Sequence, residues 1–346
     1  MAVDVNQYVV SNEVVGDGEE LRRRMDRAGY LFFRGLLDPG QVLQLRREIL
    51  EVCQQGGWLK EGAPLEDGIA NGERIYLEPE PDYLEVYDGV QRLESFHSLA
   101  HAPAILDIME KLVGEEVLPH ATKIGRLMFP QSNQYATPPH QDFVHIQGTA
   151  ETYSCWIPLG DCPVELGGLS VLAGSHQQGL FEYHLELGAG GMGVDAEYLE
   201  GDWLTTDYRP GDALVFHSMT VHKSLPNTTP DRMRFSVDYR YQAASEPIVE
   251  AYLGPHNVKS SWEEIYSGWK SDDLQYYWKN VDVNIGERDW SYYDKRDAEA
   301  MELARQGDPK ARSALTRIIS RDPRPEKKRA AEEALRMLAA VSESDR

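Results

Sequence analysis

The chain has 346 residues, 41% of them hydrophobic, and its 35 basic and 57 acidic side chains give a formal net charge of −22. This composition predicts a soluble globular protein large enough for one domain with an appendage or two modest domains. The negative charge argues against nucleic-acid binding or an anionic membrane surface, and since no apolar run could span a membrane, we expect a cytoplasmic location.

The first third of the chain has mainly helical patterns. Helices are predicted over residues 19–28, over 39–54 with Asp38 as the capping residue, and over 102–112, where apolar residues recur at helical spacing. The stretch from Gly29 to Arg34, which is aromatic and bounded by glycines, predicts a strand instead.

The middle of the chain, from Leu118 to about Gln242, has short strand-like runs separated by proline, glycine and asparagine. The predicted strands cover residues 122–129, 151–159, 168–172, 212–217 and 232–241. Short strands divided by turns are typical of an antiparallel sandwich or jelly roll, so the fold class predicted from the sequence is α+β.

The last hundred residues differ again in amino-acid composition. Tryptophan and tyrosine dominate residues 245–296, which we expect to pack on the core or to cover the active site. Residues 297–346 are predicted to form an amphipathic helical hairpin, which would serve as a docking surface or as a contact in a homodimer. The main domain is then expected to span residues 12–244.

One motif carries most of the chemistry. In a strand, residues two apart point to the same side, so His140 and Asp142 would place an imidazole and a carboxylate on one face. His222, which follows a predicted strand, is the best candidate for a third ligand. Two histidines and one carboxylate are the ligand set of non-haem Fe(II) oxygenases.

Two other motifs compete with this interpretation. His184 and Glu186 have the same spacing as the first pair, but no third ligand is well placed, which favours a surface or hinge role. Gly188 to Gly193 matches the dinucleotide-binding glycine pattern, yet too few residues follow for the helix that this motif opens. We therefore expect a mobile loop there.

A strand late in the chain offers groups that bind carboxylates. Arg234 and Ser236 alternate onto one face of that strand, where a guanidinium and a hydroxyl can bind the carboxylate of a dicarboxylic cosubstrate. Arg232 lies on the same face and competes for this role, and all these arginines have Asp231 and Asp238 nearby as alternative partners.

Taken together, these passages resemble the phytanoyl-CoA dioxygenase-like branch of the Fe(II)/2-oxoglutarate-dependent oxygenases, over roughly residues 25–242. The matching passages are Gly29–Leu37, Pro139–Asp142, Trp156–Leu159, Glu165–His176, Pro210–His217 and His222–Asn227 leading to Arg234. The resemblance implies a double-stranded β-helix.

The resemblance also implies roles for single residues. His140, Asp142 and His222 would bind iron, and Arg234 would hold the far carboxylate of 2-oxoglutarate, with Trp156 near the cosubstrate. Because the loop before Arg234 differs from the family by one residue, the choice between Arg234 and Arg232 stays open.

The implied reaction consumes O₂ and 2-oxoglutarate and yields succinate, CO₂ and a hydroxylated small molecule, with ascorbate as a candidate reductant. The carboxylate of Asp142 favours hydroxylation, since halogenating relatives carry a small residue there. The same iron site would also serve desaturation, cyclisation or epimerisation. An alternative from another class is a catalytically silent jelly roll that only binds a ligand.

The net charge bears on the substrate as well. A strongly acidic protein disfavours a polyanion such as a coenzyme A thioester unless arginine and lysine gather locally. We therefore expect a neutral or cationic small molecule as the substrate.

Overall fold

The computed structural model describes residues 6–344, and their secondary structure is of the predicted α+β class. The helices are α1 (Gly18–Ala28), α2 (Pro39–Gln55), α3 (Pro81–Gln91), α4 (Glu94–Ser98), α5 (Pro103–Val113), α6 (Phe143–Ile146), α7 (Trp262–Tyr266), α8 (Ser291–Arg305), α9 (Ala311–Arg321) and α10 (Pro325–Ser344). No helix within this range is long and apolar enough to cross a membrane.

The strands are shorter and concentrate in the middle of the chain. They are β1 (Tyr30–Phe33), β2 (Val117–Pro119), β3 (Ile124–Met128), β4 (Thr152–Pro158), β5 (Leu169–Leu172), β6 (Tyr183–Leu185), β7 (Met192–Val194), β8 (Trp203–Leu204), β9 (Ala213–His217), β10 (His222–Ser224), β11 (Arg234–Ala243), β12 (Ile248–Val249) and β13 (Ile285–Gly286).

Two antiparallel sheets form the centre of the fold. The larger sheet has the order β1-β9-β4-β11-β2, with β3 also paired to β11, and the smaller has the order β10-β5-β8. Trp156 and Phe216 from the larger sheet pack with Leu169 and Val171 from the smaller one, so an apolar core lies between the sheets. This sandwich is the arrangement that the short predicted strands indicated.

Strand alternation decides what each face of the larger sheet contacts. On β11 the odd-numbered residues Phe235, Val237, Tyr239 and Tyr241 belong to the same core as the apolar residues of α1, α2, α3 and α5. The even-numbered residues of β11 are polar, buried, and on the opposite face. The N-terminal helices therefore cover one face of the sheet, and the opposite face carries the buried polar side chains.

The predicted N-terminal elements agree closely with the structure. Asp17 caps α1 by accepting hydrogen bonds from the backbone of Glu19 and Glu20, and Asp38 caps α2 as expected.

The strand predicted over residues 232–241 starts later, at Arg234, so Arg232 lies outside β11.

The C-terminal prediction of a two-helix hairpin is wrong, because this region forms three helices. The helical structure is interrupted twice, so there are three helical segments rather than two. One interruption is at Gly307, which has a φ of 77°, and the other is at Asp322, which is followed by prolines. The first of these segments, α8, begins at Ser291, inside the stretch expected to be an aromatic segment.

The three C-terminal helices share their own apolar core and attach to the β6–β7 hairpin. Leu185 of β6 packs against this core, and the carboxylate of Glu299 on α8 accepts a hydrogen bond of 2.6 Å from the backbone N–H of Leu185. This attachment brings α9 next to the glycine-rich turn between β6 and β7, where Arg317 donates to the carbonyl of Gly188.

Most of the aromatic segment packs on the core. Trp262, Tyr266 and Trp278 cluster with Leu118 and Ala121, which lie on or beside β2. Trp290 and Tyr293 instead line a small cavity beside His145. Of the two roles expected for this segment, packing on the core therefore occurs, while Trp290 and Tyr293 line a cavity other than the pocket of His140 and His222.

Lys123, just before β3, is a buried lysine with no carboxylate partner within ion-pair distance among the described residues. Its ammonium donates to the carbonyl of His120 and to the hydroxyl of Tyr277, both at 3.1 Å. Burial lowers the pKa of Lys123 to about 7, because the charged form is poorly solvated there.

We predict that Lys123→Met raises the free energy of unfolding by about 2–4 kcal/mol at pH 6 and by much less near pH 10. Between pH 7 and about 10.4 the unfolded lysine holds a proton that the folded one has lost, so the wild type gains stability as pH rises through this window. Urea unfolding at the two pH values measures the difference. Lys60→Met, at an exposed lysine, is the control, and an equal gain at both pH values would contradict the prediction.

Candidate active site

His140 and His222 face each other across a two-residue antiparallel bridge. The backbone N–H of each donates to the carbonyl of the other, both at 3.0 Å. Directly paired residues of this kind bring their side chains together on one face. The two imidazole rings accordingly lie with their centroids 4.1 Å apart.

Backbone carbonyls fix the orientation of both rings. Nδ1 of His140 lies 2.8 Å from the carbonyl of Pro138, and Nδ1 of His222 lies 3.0 Å from the carbonyl of Thr220. A carbonyl can only accept, so each Nδ1 carries the proton and each Nε2 keeps a free lone pair. Both Nε2 atoms are close to Oδ1 of Asp142, at 3.7 and 3.8 Å.

Asp142 reaches this position from a helical backbone, so the expectation that His140 and Asp142 share a strand face is wrong in its geometry. Strand pairing ends at His140, and Asp142 has φ −62° and ψ −29° at the start of α6. The carboxylate is held by the hydroxyl of Ser154, which donates to Oδ2 at 2.5 Å, and by Arg240, whose Nη2 donates to Oδ2 at 3.1 Å.

The electrostatics keep Asp142 and His222 in the state that a metal needs. Burial raises the pKa of Asp142, but the Arg240 guanidinium and the two imidazoles outweigh it and hold this pKa well below its usual range. Burial lowers the pKa of His222 to about 3, so its imidazole is neutral.

The donor set fits a divalent metal ion. One ligand atom from each of His140, Asp142 and His222 lies within 4.8 Å of the other two, and all three residues are buried. Two imidazoles and one carboxylate suit Fe(II) and leave coordination positions open. The structure thus brings together the three ligands predicted from the sequence.

Arg234 lines the same pocket as the two histidines and is 1% exposed. It donates from Nε to the carbonyl of Gly167 at 3.1 Å, from Nη1 to Ser236 at 2.5 Å, and from Nη2 to Ser224 at 3.1 Å. No carboxylate of the described residues lies within 4.0 Å of it, although buried charges are ordinarily paired. A buried guanidinium with this surplus charge is suited to an anionic ligand.

The other predicted cosubstrate residues divide between the pocket and its surroundings. Trp156 lines the pocket, with its ring centre 6.0 Å from the guanidinium carbon of Arg234. Ser236 is buried and contacts Arg234 directly. Arg232 is exposed and does not line the pocket, so the geometry favours Arg234 of the two arginines.

Sequence reasoning missed Arg240 and Ser154, which hold Asp142 in place. Both could have been found from strand alternation, because Arg240 shares the even-numbered face of β11 with Arg234, and Ser154 lies two residues before Trp156 on β4. The same face carries Asp238, which pairs with Arg126 at 2.7 Å.

The competing histidines take other places. His184 and Glu186 contact each other at 3.2 Å on β6 and the residue after it, partly exposed and apart from the pocket. His120 is buried and bonds with the side chain of Gln242. His145 alone lies beside a metal-site residue, with its ring centroid 6.0 Å from that of His140.

A larger cavity of about 370 Å³ adjoins the metal pocket, and Arg126 and Thr137 line both. This volume is within the range of small-molecule sites, about 300–1,000 Å³. Aromatic side chains supply much of its wall, namely Tyr76, Tyr83, Phe129 and Tyr135. Arg312 and Ser313 of α9 also line it, so the C-terminal helices contribute to the site.

Residues 25–236 match the family model described as phytanoyl-CoA dioxygenase (PhyH), which is more than half of the chain. The chain is 30% identical over 260 residues to 1-deoxypentalenic acid 11-beta-hydroxylase of Streptomyces exfoliatus, covering 71% of this chain and 88% of the relative. It is 26% identical over 228 residues to methylphosphonate hydroxylase of Gimesia maris, covering 64% and 80%.

Among solved structures, the chain is similar to the epimerase SnoN in complex with Fe³⁺, alpha ketoglutarate and nogalamycin RO. The TM-score is 0.48 at 21% sequence identity, with 67% of this chain and 86% of that chain covered.

We predict that His140→Ala and His222→Ala each weaken Fe(II) binding at least about tenfold, because each removes one of three ligands. Anaerobic equilibrium dialysis against Fe(II) measures the loss. His184→Ala removes the competing His–Glu pair and should bind iron like the wild type. Equal iron binding by all three variants would contradict the assignment.

Proposed function

The chain belongs to the phytanoyl-CoA dioxygenase family of Fe(II)- and 2-oxoglutarate-dependent oxygenases, and on that premise we propose that it hydroxylates a small-molecule substrate. The overall reaction converts R–H, O₂ and 2-oxoglutarate to R–OH, succinate and CO₂. Both curated relatives described above are named as hydroxylases.

One observation carries the proposal: the two histidines of a three-residue metal site line the same pocket as an unpaired buried guanidinium. A metal site alone would suit many enzymes, and a buried arginine alone would suit many ligands. Their combination fits a metal-binding dicarboxylate whose far carboxylate needs a cation. We take the surrounding pair of antiparallel sheets to be the double-stranded β-helix of this family.

The residues around the site have separate tasks. Iron, when held by His140, Asp142 and His222, supplies the activation of O₂ that is coupled to oxidative decarboxylation of 2-oxoglutarate. Arg234, with Ser236 beside it, binds the far carboxylate and so orients the cosubstrate towards the metal ligands. Trp156 and Phe216 supply apolar surface to the wall of the pocket.

Arg240 and Ser154 act as positioning residues for Asp142. Both donate to Oδ2 of the carboxylate, and Arg240 also donates to Oδ1 at 3.3 Å, which holds Oδ1 beside the two Nε2 atoms. The substrate itself would occupy the adjoining 370 Å³ cavity, which shares the lining residues Arg126 and Thr137 with the metal pocket. Its aromatic wall would orient one C–H bond for oxidation.

We predict that Arg234→Gln raises the Kd of 2-oxoglutarate at least about tenfold, because it removes a charge-assisted hydrogen-bond donor pair. Arg232→Gln is the matched control and should leave this Kd within about twofold of the wild type. Titration calorimetry on the metal-loaded protein measures both. A larger effect at Arg232 would reverse the assignment of the anchor.

The function itself is tested by succinate release from a metabolite-extract screen. We expect some extracts to stimulate succinate formation by the wild type, with a product heavier by one oxygen atom in mass spectrometry. Asp142→Ala should form no succinate, since it lacks a metal ligand. No stimulation by any extract, from protein that binds Fe(II) and 2-oxoglutarate, would refute the proposal and favour a silent binding protein.

A further inference from the structure

A second cavity, of about 70 Å³, lies beside His145 and is unusually rich in arginine. Arg288 from the segment before α8, Arg296 from α8, and Arg317 and Arg321 from α9 all line it. Asp322 is the one carboxylate among the lining residues. In a chain with a net charge of −22, this is a marked local reversal of sign.

Two of these arginines are already paired with carboxylates. Arg296 contacts Asp297 at 2.5 Å, and Arg321 lies 3.7 Å from Glu78. Asp322 does not neutralise the others, because Arg324 contacts it at 2.8 Å and Lys327 at 3.3 Å.

Arg288 and Arg317 have no carboxylate within 4.0 Å among residues 6–344. Arg317 is only 2% exposed, and burial lowers its pKa to about 9, which reflects a guanidinium without a close counter-charge. Two positively charged side chains at this cavity therefore have no ion-pair partner among the described residues.

Three buried nitrogen atoms beside the cavity also lack a hydrogen-bond partner: Nε of Arg288, Nε of Arg317 and Nε2 of His145. Most buried polar atoms in proteins have a partner, and those without one ordinarily mark the position of a water, an ion or a ligand. Here all three belong to residues that line one cavity.

The glycine-rich turn between β6 and β7 leaves the room for this cavity. A Cβ atom on Gly190 would lie 2.9 Å from Nε2 of His145, and one on Gly191 would lie 3.0 Å from Nη1 of Arg317. Both glycines have positive φ, at 83° and 69°, which side-chain-bearing residues rarely adopt. The motif that resembled a dinucleotide fingerprint thus serves as a wall of the arginine-lined cavity.

We propose that this cavity binds the anionic head group of the substrate, a carboxylate or a phosphate-type group. The proposal rests on the hydroxylase function above and names its substrate class. Guanidinium groups bind both kinds of anion through paired N–H donors, and the cavity offers several such groups with unused donors. The local charge here favours the opposite of the neutral or cationic substrate expected from the net charge.

The cavity lies close to the metal site. His145 lines the cavity, and its ring centroid is 6.0 Å from that of the metal-site residue His140. An anionic group bound in this cavity would therefore lie near the metal ligands.

The first experiment measures anion binding without turnover, in iron-free protein that carries Arg234→Gln, so that the cosubstrate pocket no longer attracts anions. Inorganic phosphate and octanoate are titrated separately by calorimetry, which distinguishes a phosphate-type from a carboxylate head group. We expect at least one probe to bind, and Arg288→Gln or Arg317→Gln to weaken that binding tenfold or more.

Arg305→Gln is the matched control, since it removes an exposed guanidinium, 64% accessible, from the same group of helices. It should bind the probes like the parent protein. Arg288 is half-buried, so its variant keeps the test decisive even if Arg317→Gln fails to fold. Binding of neither probe, or equal binding by Arg288→Gln and Arg305→Gln, would overturn the proposal.

The second experiment links the cavity to turnover. The extract component that stimulates succinate release should bind to an anion-exchange resin at neutral pH, and Arg288→Gln should raise its KM at least tenfold with a smaller change in kcat. A stimulating component that is not an anion would overturn the head-group proposal alone. Normal probe binding without succinate release from any extract would refute only the hydroxylase function.

Discussion

The interior of this protein depends on pairing charges along the even-numbered face of β11. Arg234, Asp238 and Arg240 point from this face into the space between the two sheets. Arg240 is paired with Asp142, and Asp238 with Arg126, so two buried ion pairs hold the walls of the metal pocket. Arg234 is the charge left over. Because an unpaired buried charge is costly, the fold is most stable with an anion bound at that position.

Much of this arrangement could be predicted from the sequence, because strand alternation and cap residues are local signals. Strand alternation pointed to His140 with Asp142 and to Arg234 with Ser236, with Arg232 left open as an alternative, and His222 was chosen from its place after a predicted strand. The backbone of Asp142 was not predicted, since spacing alone cannot tell the end of a strand from the start of a helical turn. Arg240 followed the same alternation as Arg234, but its partner is distant in sequence, and only the structure shows it.

The C-terminal region shows why the rest could not be predicted. The apolar patterns of this region indicate helices. The arginines of α9 line a cavity only because α9 packs beside the β6–β7 hairpin, and the sequence does not show that contact. Net charge and the local charge of the second cavity favour different substrates for a related reason. It averages over the surface, whereas a ligand responds to the charges within a Debye length of its own site, about 8 Å at physiological ionic strength.

The residues of the metal pocket all fall between Arg126 and Arg240, whereas the arginines of the second cavity come from residues 288–321. The arginines proposed to bind the head group are therefore encoded apart from the metal pocket, whereas the 370 Å³ cavity is lined by residues from both early and late stretches. Recombination or mutation in the later stretch can change which molecule is accepted without disturbing the oxidising centre. This division would let one ancestral enzyme give rise to descendants with different substrates, and it makes α8 to α10 the natural segment to exchange in directed evolution.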